Sequence, residues 1–60
     1  MDDRILKLGD VMRILRISRG TTLSLLGTSV REGGLQGFKV RGTWRVKQSE
    51  LDDFIKRNEQ

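Results

Sequence analysis

Sixty residues with 12 Lys and Arg against 8 Asp and Glu, and with neither cysteine nor histidine, limit the chemistry before any pattern is read. A chain this short makes one domain, residues 1–60, whose core rarely supplies more than about 3–5 kcal/mol. Without Cys or His there is no disulfide staple and no thiolate zinc site, and the commonest general base and metal ligand are missing.

No apolar run approaches the roughly 18–20 residues of a membrane span, and no signal-peptide pattern opens the chain. A cytoplasmic protein with no membrane partner is expected. Ten of the Lys and Arg lie between Arg4 and Lys47, with only Asp10 and Glu32 against them, whereas residues 48–60 carry more acid than base. A basic body with acidic ends suits a polyanionic partner.

Leu8, Val11, Met12 and Leu15 fall at i, i+3, i+4 and i+7, one apolar face of a helix over Leu8–Leu15 that stops near Arg16. Ser18 then caps a second helix. Over Arg19–Glu32, Leu23, Leu26 and Val30 share one face, and Thr21, Ser24, Thr28 and Arg31 lie opposite. The pattern favours a single helix bent at Gly27. The alternative ends it at Gly27 and restarts at Ser29, which has capping-box spacing to Glu32. Gly33 and Gly34 close the segment.

Gly37–Lys47 reads as a β-hairpin, Phe38 and Val40 alternating with Lys39 and Arg41, and Trp44 and Val46 with Arg45 and Lys47. Pairing Val40 with Trp44 and Phe38 with Val46 leaves Arg41-Gly42-Thr43 as a three-residue turn. Phe38, Val40, Trp44 and Val46 then face inward and Lys39, Arg45 and Lys47 outward, with Arg41 at the tip. Trp44 is expected at the hub of the core. A last helix runs from Glu50 to about Arg57, capped by Ser49, with Leu51, Phe54 and Ile55 buried. No linker, repeat or low-complexity tract separates these elements.

The enzyme reading is weak. Gly33, Gly34 and Gly37 make no phosphate-loop motif, the carboxylates are explained by helix ends, and a Ser or Thr nucleophile has only Lys as a base. No cofactor is expected. Duplex DNA fits better, because a helix-turn-helix sets its second helix in the major groove and a basic hairpin tip reaches the minor groove. Candidate contacts are Ser18, Arg19, Thr21, Ser24, Thr28 and Arg31 on the second helix. Lys39, Arg41, Gly42, Thr43 and Arg45 are candidates on the wing, with Arg16 at the turn. The fold class is small α+β, a winged helix-turn-helix in the order helix, helix, β-hairpin, helix. A reading from another class is a protein-binding adaptor whose basic face meets an acidic partner.

The segments Ile5–Val11, Ile14–Arg19, Arg31–Leu35, Phe38–Val46 and Leu51–Ile55 together resemble the excisionase-type winged helix-turn-helix domains, relatives of the DNA-binding domain of MerR regulators. The resemblance implies a recombination directionality factor of a phage or mobile element. Such a protein bends attachment-site DNA, associates cooperatively with itself and steers an integrase without catalysing anything. It matches Ser18, Arg19 and Thr21 to the start of the recognition helix and Arg41, Gly42, Thr43 and Arg45 to the wing. The chain departs from the pattern at Arg16, where a small turn residue is usual, and at Lys7, where a cap such as Thr is usual. It also departs at Ser24, where Arg or Lys is frequent, and it has about four extra residues between Leu26 and Val30. A small MerR-like transcriptional regulator is the alternative within this class; such regulators carry a long dimerising helix that this sequence does not contain.

Overall fold

The computed structural model describes residues 3–59. Along them run strand β1 (Ile5–Lys7), helix α1 (Leu8–Leu15), helix α2 (Arg19–Leu26) and a single 3₁₀ turn (Val30–Glu32). Strands β2 (Phe38–Val40) and β3 (Thr43–Lys47) and helix α3 (Gln48–Asn58) follow. The three strands form one antiparallel sheet in the order β1-β3-β2. This is the expected winged helix-turn-helix, with a leading strand added. Three residues are too few for alternation to register, and β1 exists because Leu6 pairs with Val46 on the central strand.

At the start of α1, the Asp10 carboxylate accepts the Lys7 backbone N–H at 3.1 Å and also takes the Arg13 guanidinium. The helix ends at Arg16, whose φ of 57° is left-handed, and Ile17 N–H closes onto Met12 C=O at 3.1 Å. Ser18 caps α2 as expected, its hydroxyl accepting the Thr21 N–H at 3.2 Å.

The single bent helix to Glu32 does not form. The alternative break at Gly27 does, and α2 stops at Leu26. In a continuing helix the Leu25 carbonyl would accept from residue 29. Instead it accepts from Thr28 N–H at 3.1 Å and from Leu35 N–H at 3.0 Å. Leu35, only 1% exposed, enters the core and draws the chain back. The Ser29–Glu32 capping box is also corrected: the Ser29 backbone carbonyl, not its hydroxyl, accepts from Glu32 and Gly34 N–H at 3.0 and 2.8 Å. Thr28 and Arg31 therefore lie beyond the helix on which they were expected. The buried face of α2 is rotated as well. Thr22 is fully buried, its hydroxyl donating to Ser18 C=O at 2.8 Å, while Leu23 is turned outward.

The hairpin forms one residue out of the expected register. Phe38 pairs with Arg45, Lys39 with Trp44 and Val40 with Thr43, leaving Arg41-Gly42 as a two-residue turn. Both turn residues have positive φ, 51° and 78°, the requirement of a type I′ turn whose twist matches that of the strands. A one-residue slip exchanges the faces of a strand. Phe38 and Val40 thus sit on the outer face, 38% and 46% exposed, and Lys39 moves to the inner face with Trp44 and Val46. Gly37 shows why: a Cβ there would stand 2.6 Å from Leu26 Cδ2 and 3.3 Å from Trp44 Cε3. At that position the inner face has room for glycine alone.

The core comprises Leu6, Val11, Leu26, Leu35, Val46, Leu51 and Phe54, with Leu8, Leu15, Leu25, Trp44 and Ile55 packed around it. Trp44 is half-buried at the edge, so the expected hub is displaced to Val46, Leu35 and Leu51. Ser49 does not cap α3. Lys47 holds the cap position, and Asp3 from the other end of the chain accepts the Ser49 N–H and hydroxyl.

Candidate nucleic-acid interface

The turn between α1 and α2 sets the first part of the surface. Arg16 closes one helix and Ser18 opens the next, so α2 leaves the turn with Arg19, Gly20, Thr21 and Ser24 exposed. The Ser18 hydroxyl also donates to Thr21 Oγ1 at 3.0 Å, which fixes both polar side chains at the exposed opening of the helix. Thr28 is half-buried and donates to Ser24 C=O at 2.8 Å. Arg31 is exposed on the 3₁₀ turn. Both follow the end of α2 at Leu26.

The hairpin sets the second part. Arg41, Gly42 and Thr43 are exposed at its tip, and Arg45 shares the outer face with Phe38 and Lys7. One Arg45 guanidinium nitrogen donates to Trp44 C=O at 3.1 Å, leaving its remaining donors for a ligand. Lys39 is on the inner face, with its ammonium 5.1 Å from the Trp44 ring centroid.

The two parts meet. An open depression of about 430 Å³ is lined by Lys7, Leu8 and Gly9 at the start of α1, Arg19 at the start of α2, and Gly42, Thr43, Trp44 and Arg45 of the hairpin. The fold thus brings Arg19 to Gly42, Thr43 and Arg45, as a joint surface of recognition helix and wing requires. It adds Lys7, which the sequence marks only as an unusual cap because the strand Ile5–Lys7 is too short to leave an alternation.

Among the described residues Arg13–Asp10 is the one ion pair. Arg16, Arg19, Arg41 and Arg45 carry their charges without a carboxylate partner there, so the surface is cationic. The described residues contain no group of side chains suited to a metal ion, and no helix among them is long and apolar enough to cross a membrane.

Two helices joined by a tight turn, followed by a hairpin with a cationic tip beside the second helix, define a winged helix-turn-helix. A family model described as a helix-turn-helix domain matches residues 5–59, and the chain belongs to that family, which includes excisionase-like DNA-binding domains. No curated protein and no solved structure matches the chain. Membership of the helix-turn-helix family suggests DNA binding.

Proposed function

We propose that this chain is a sequence-selective double-stranded DNA-binding protein of the excisionase type, kin to the MerR DNA-binding domains. It is a recombination directionality factor, phage-encoded or bacterial and cytoplasmic, that bends attachment-site DNA, assembles cooperatively on it and assists an integrase. It works by binding and bending, not by catalysis. Helix α2 enters the major groove through Ser18, Arg19, Thr21 and Ser24, and the wing approaches the minor groove and backbone through Arg41, Gly42, Thr43 and Arg45, with Arg16 on a flanking phosphate. Thr28 and Arg31 lie beyond the end of α2 and Lys39 is on the inner face of the hairpin, so these three are the less favoured of the candidate contacts.

The observation that carries this reading is a stability cost. Arg16 and Arg41 are the two described non-glycine residues with positive φ, 57° and 51°. The left-handed region costs such a residue about 1–2 kcal/mol. Folding alone favours Gly or Asn at a helix C-terminus and at the first position of a type I′ turn. An arginine at both puts exposed cations at the turn before α2 and at the hairpin tip at the expense of stability, as expected where charge has a use.

The test is to select duplexes from a random pool and measure affinity for selected and scrambled sequences across salt. A permuted-site gel then reads the bend, and an integrase excision reaction reads the assistance. With about four to six phosphate contacts, log K should fall against log salt with a slope of roughly −4 to −5. A slope near zero, or no duplex bound at low salt, overturns the DNA reading. Selective binding without a bend or any effect on excision overturns the excisionase role.

A further inference from the structure

Lys7 and Arg45 are direct cross-strand partners on the outer face of β1 and β3. Like charges placed opposite each other on a sheet repel and destabilise it. No described carboxylate lies within 4.0 Å of either cation to relieve this, since Arg13–Asp10 is the one ion pair. A third basic residue comes from a separate element: Arg19, the first residue of α2, lines the same depression as Lys7 and Arg45, as do exposed Thr43 and the opening turn of α1 at Leu8 and Gly9. Asp10 is the nearest acidic residue in sequence, and its carboxylate is already engaged by the Lys7 N–H and the Arg13 guanidinium. Cation-bearing residues of three elements thus line one open depression.

We propose that Lys7, Arg19 and Arg45 form the seat of a single phosphodiester group of the DNA backbone, at the junction of wing and recognition helix. The proposal rests on the DNA reading above and adds to it Lys7 and the sharing of one phosphate between two DNA-binding elements. An ammonium and two guanidinium groups supply donors for the acceptor oxygens of a phosphodiester and outweigh its single negative charge, and the Thr43 hydroxyl is a further donor at the rim. Gripping one phosphate from both sides fixes the angle between α2 and the hairpin on the duplex, since Lys7 and Arg45 are locked in sheet register. A free phosphate or pyrophosphate has the same chemistry, so the test separates the two sources.

Trp44 is the sole tryptophan and lines the depression, so its fluorescence reports occupancy. Lys7→Gln, Lys7→Arg and Lys47→Gln are titrated with short cognate and scrambled duplexes at several salt concentrations, each variant first shown to be folded by circular dichroism. Lys47 shares the outer face but lies outside the depression, so its removal controls for loss of one charge. Lys7→Gln should weaken both duplexes alike, by about five- to tenfold at low salt, and flatten the salt slope by about one unit. Lys7→Arg should restore both, and Lys47→Gln should change affinity less than about twofold. If Lys7→Gln and Lys47→Gln behave alike while the parent protein binds duplex, the seat is refuted and the DNA reading stands. If the parent protein binds no duplex, the DNA reading itself fails. If pyrophosphate changes Trp44 emission at lower phosphate concentration than duplex does, the seat serves a free anion and the proposal is overturned.

Discussion

The Asp3 carboxylate accepts two hydrogen bonds from Ser49, from its backbone N–H at 3.0 Å and its hydroxyl at 2.8 Å, and so caps α3 from 46 residues away in sequence. Next to it, Gln48 N–H donates to Arg4 C=O at 2.8 Å, tying the start of the chain to the start of its last helix. The Ser49 backbone bond and then its hydroxyl bond hold the Asp3 carboxyl below its ordinary pKa against an opposing effect of desolvation, and the Lys47 charge adds a lesser lowering.

That shift gives a pH dependence with a definite sign. A depressed folded-state pKa stabilises the protein above the unfolded value, about 3.9 for Asp, and the contribution disappears as pH falls through the folded value. Asp3→Asn should therefore lower the Tm at neutral pH, and its gap from the parent should close below about pH 4. Thermal melts followed by circular dichroism at stepped pH check this; a gap constant down to pH 2 would show that the charge plays no part.

Gly34 is buried where the loop after α2 folds back, and a Cβ there would stand 1.8 Å from Thr28 O and 2.8 Å from Ser29 O. These are backbone atoms and cannot move aside cheaply. Gly34→Ala should cost more than about 3 kcal/mol, comparable to Leu51→Ala in the core at about 2–5 kcal/mol. Either substitution removes most of the stability of a domain this small. Gly20→Ala meets nothing within 4 Å and should instead stabilise α2 by about 0.5–1 kcal/mol. Urea denaturation of the three variants ranks them, and a stable Gly34→Ala protein would contradict the loop.

Trp44 and Lys39 form a pair on the inner face, the ammonium 5.1 Å from the ring centroid. Lys39→Met should shift the tryptophan emission while leaving duplex affinity within about twofold and the salt slope unchanged. A loss of about one unit of slope would place Lys39 on the DNA backbone instead. Because Trp44 is only half-buried, Trp44→Ala should destabilise less than the 3–5 kcal/mol typical of a fully buried large aromatic.

Arg41 and Arg19 separate the two DNA-binding elements. Arg41→Asn should weaken cognate and scrambled duplexes alike and flatten the salt slope by about one unit. It should also stabilise the free protein by up to about 1 kcal/mol, since Asn tolerates the left-handed turn position. Arg19→Ala should penalise the cognate site more than the scrambled one, by about 1–3 kcal/mol if the guanidinium reads a guanine. Binding of both variants to both duplexes at two salt concentrations decides this. Loss of discrimination on changing Arg41 but not Arg19 would make the wing the reading element.

Local patterning in the sequence by itself determined α1, the Ser18 cap, the existence of the hairpin and the buried face of α3, because each is written in residues a few positions apart. The order of elements and the cationic character of Arg16, Arg19, Arg41 and Arg45 were legible for the same reason. Tertiary structure alone decided where α2 ends, since Leu35 must return to the core and takes the Leu25 carbonyl that would have carried the helix onward. It decided the hairpin register as well: alternation favours the pairing that turns Phe38 and Val40 inward with Trp44 and Val46, whereas the two-residue Arg41-Gly42 turn sets the pairing that leaves them on the outer face. Strand β1, the Asp3 cap on α3 and the meeting of Lys7 with Arg19 and Arg45 join segments distant in sequence. Such contacts leave no periodic trace in a single chain, because their energy comes from partners that only the folded backbone brings within reach.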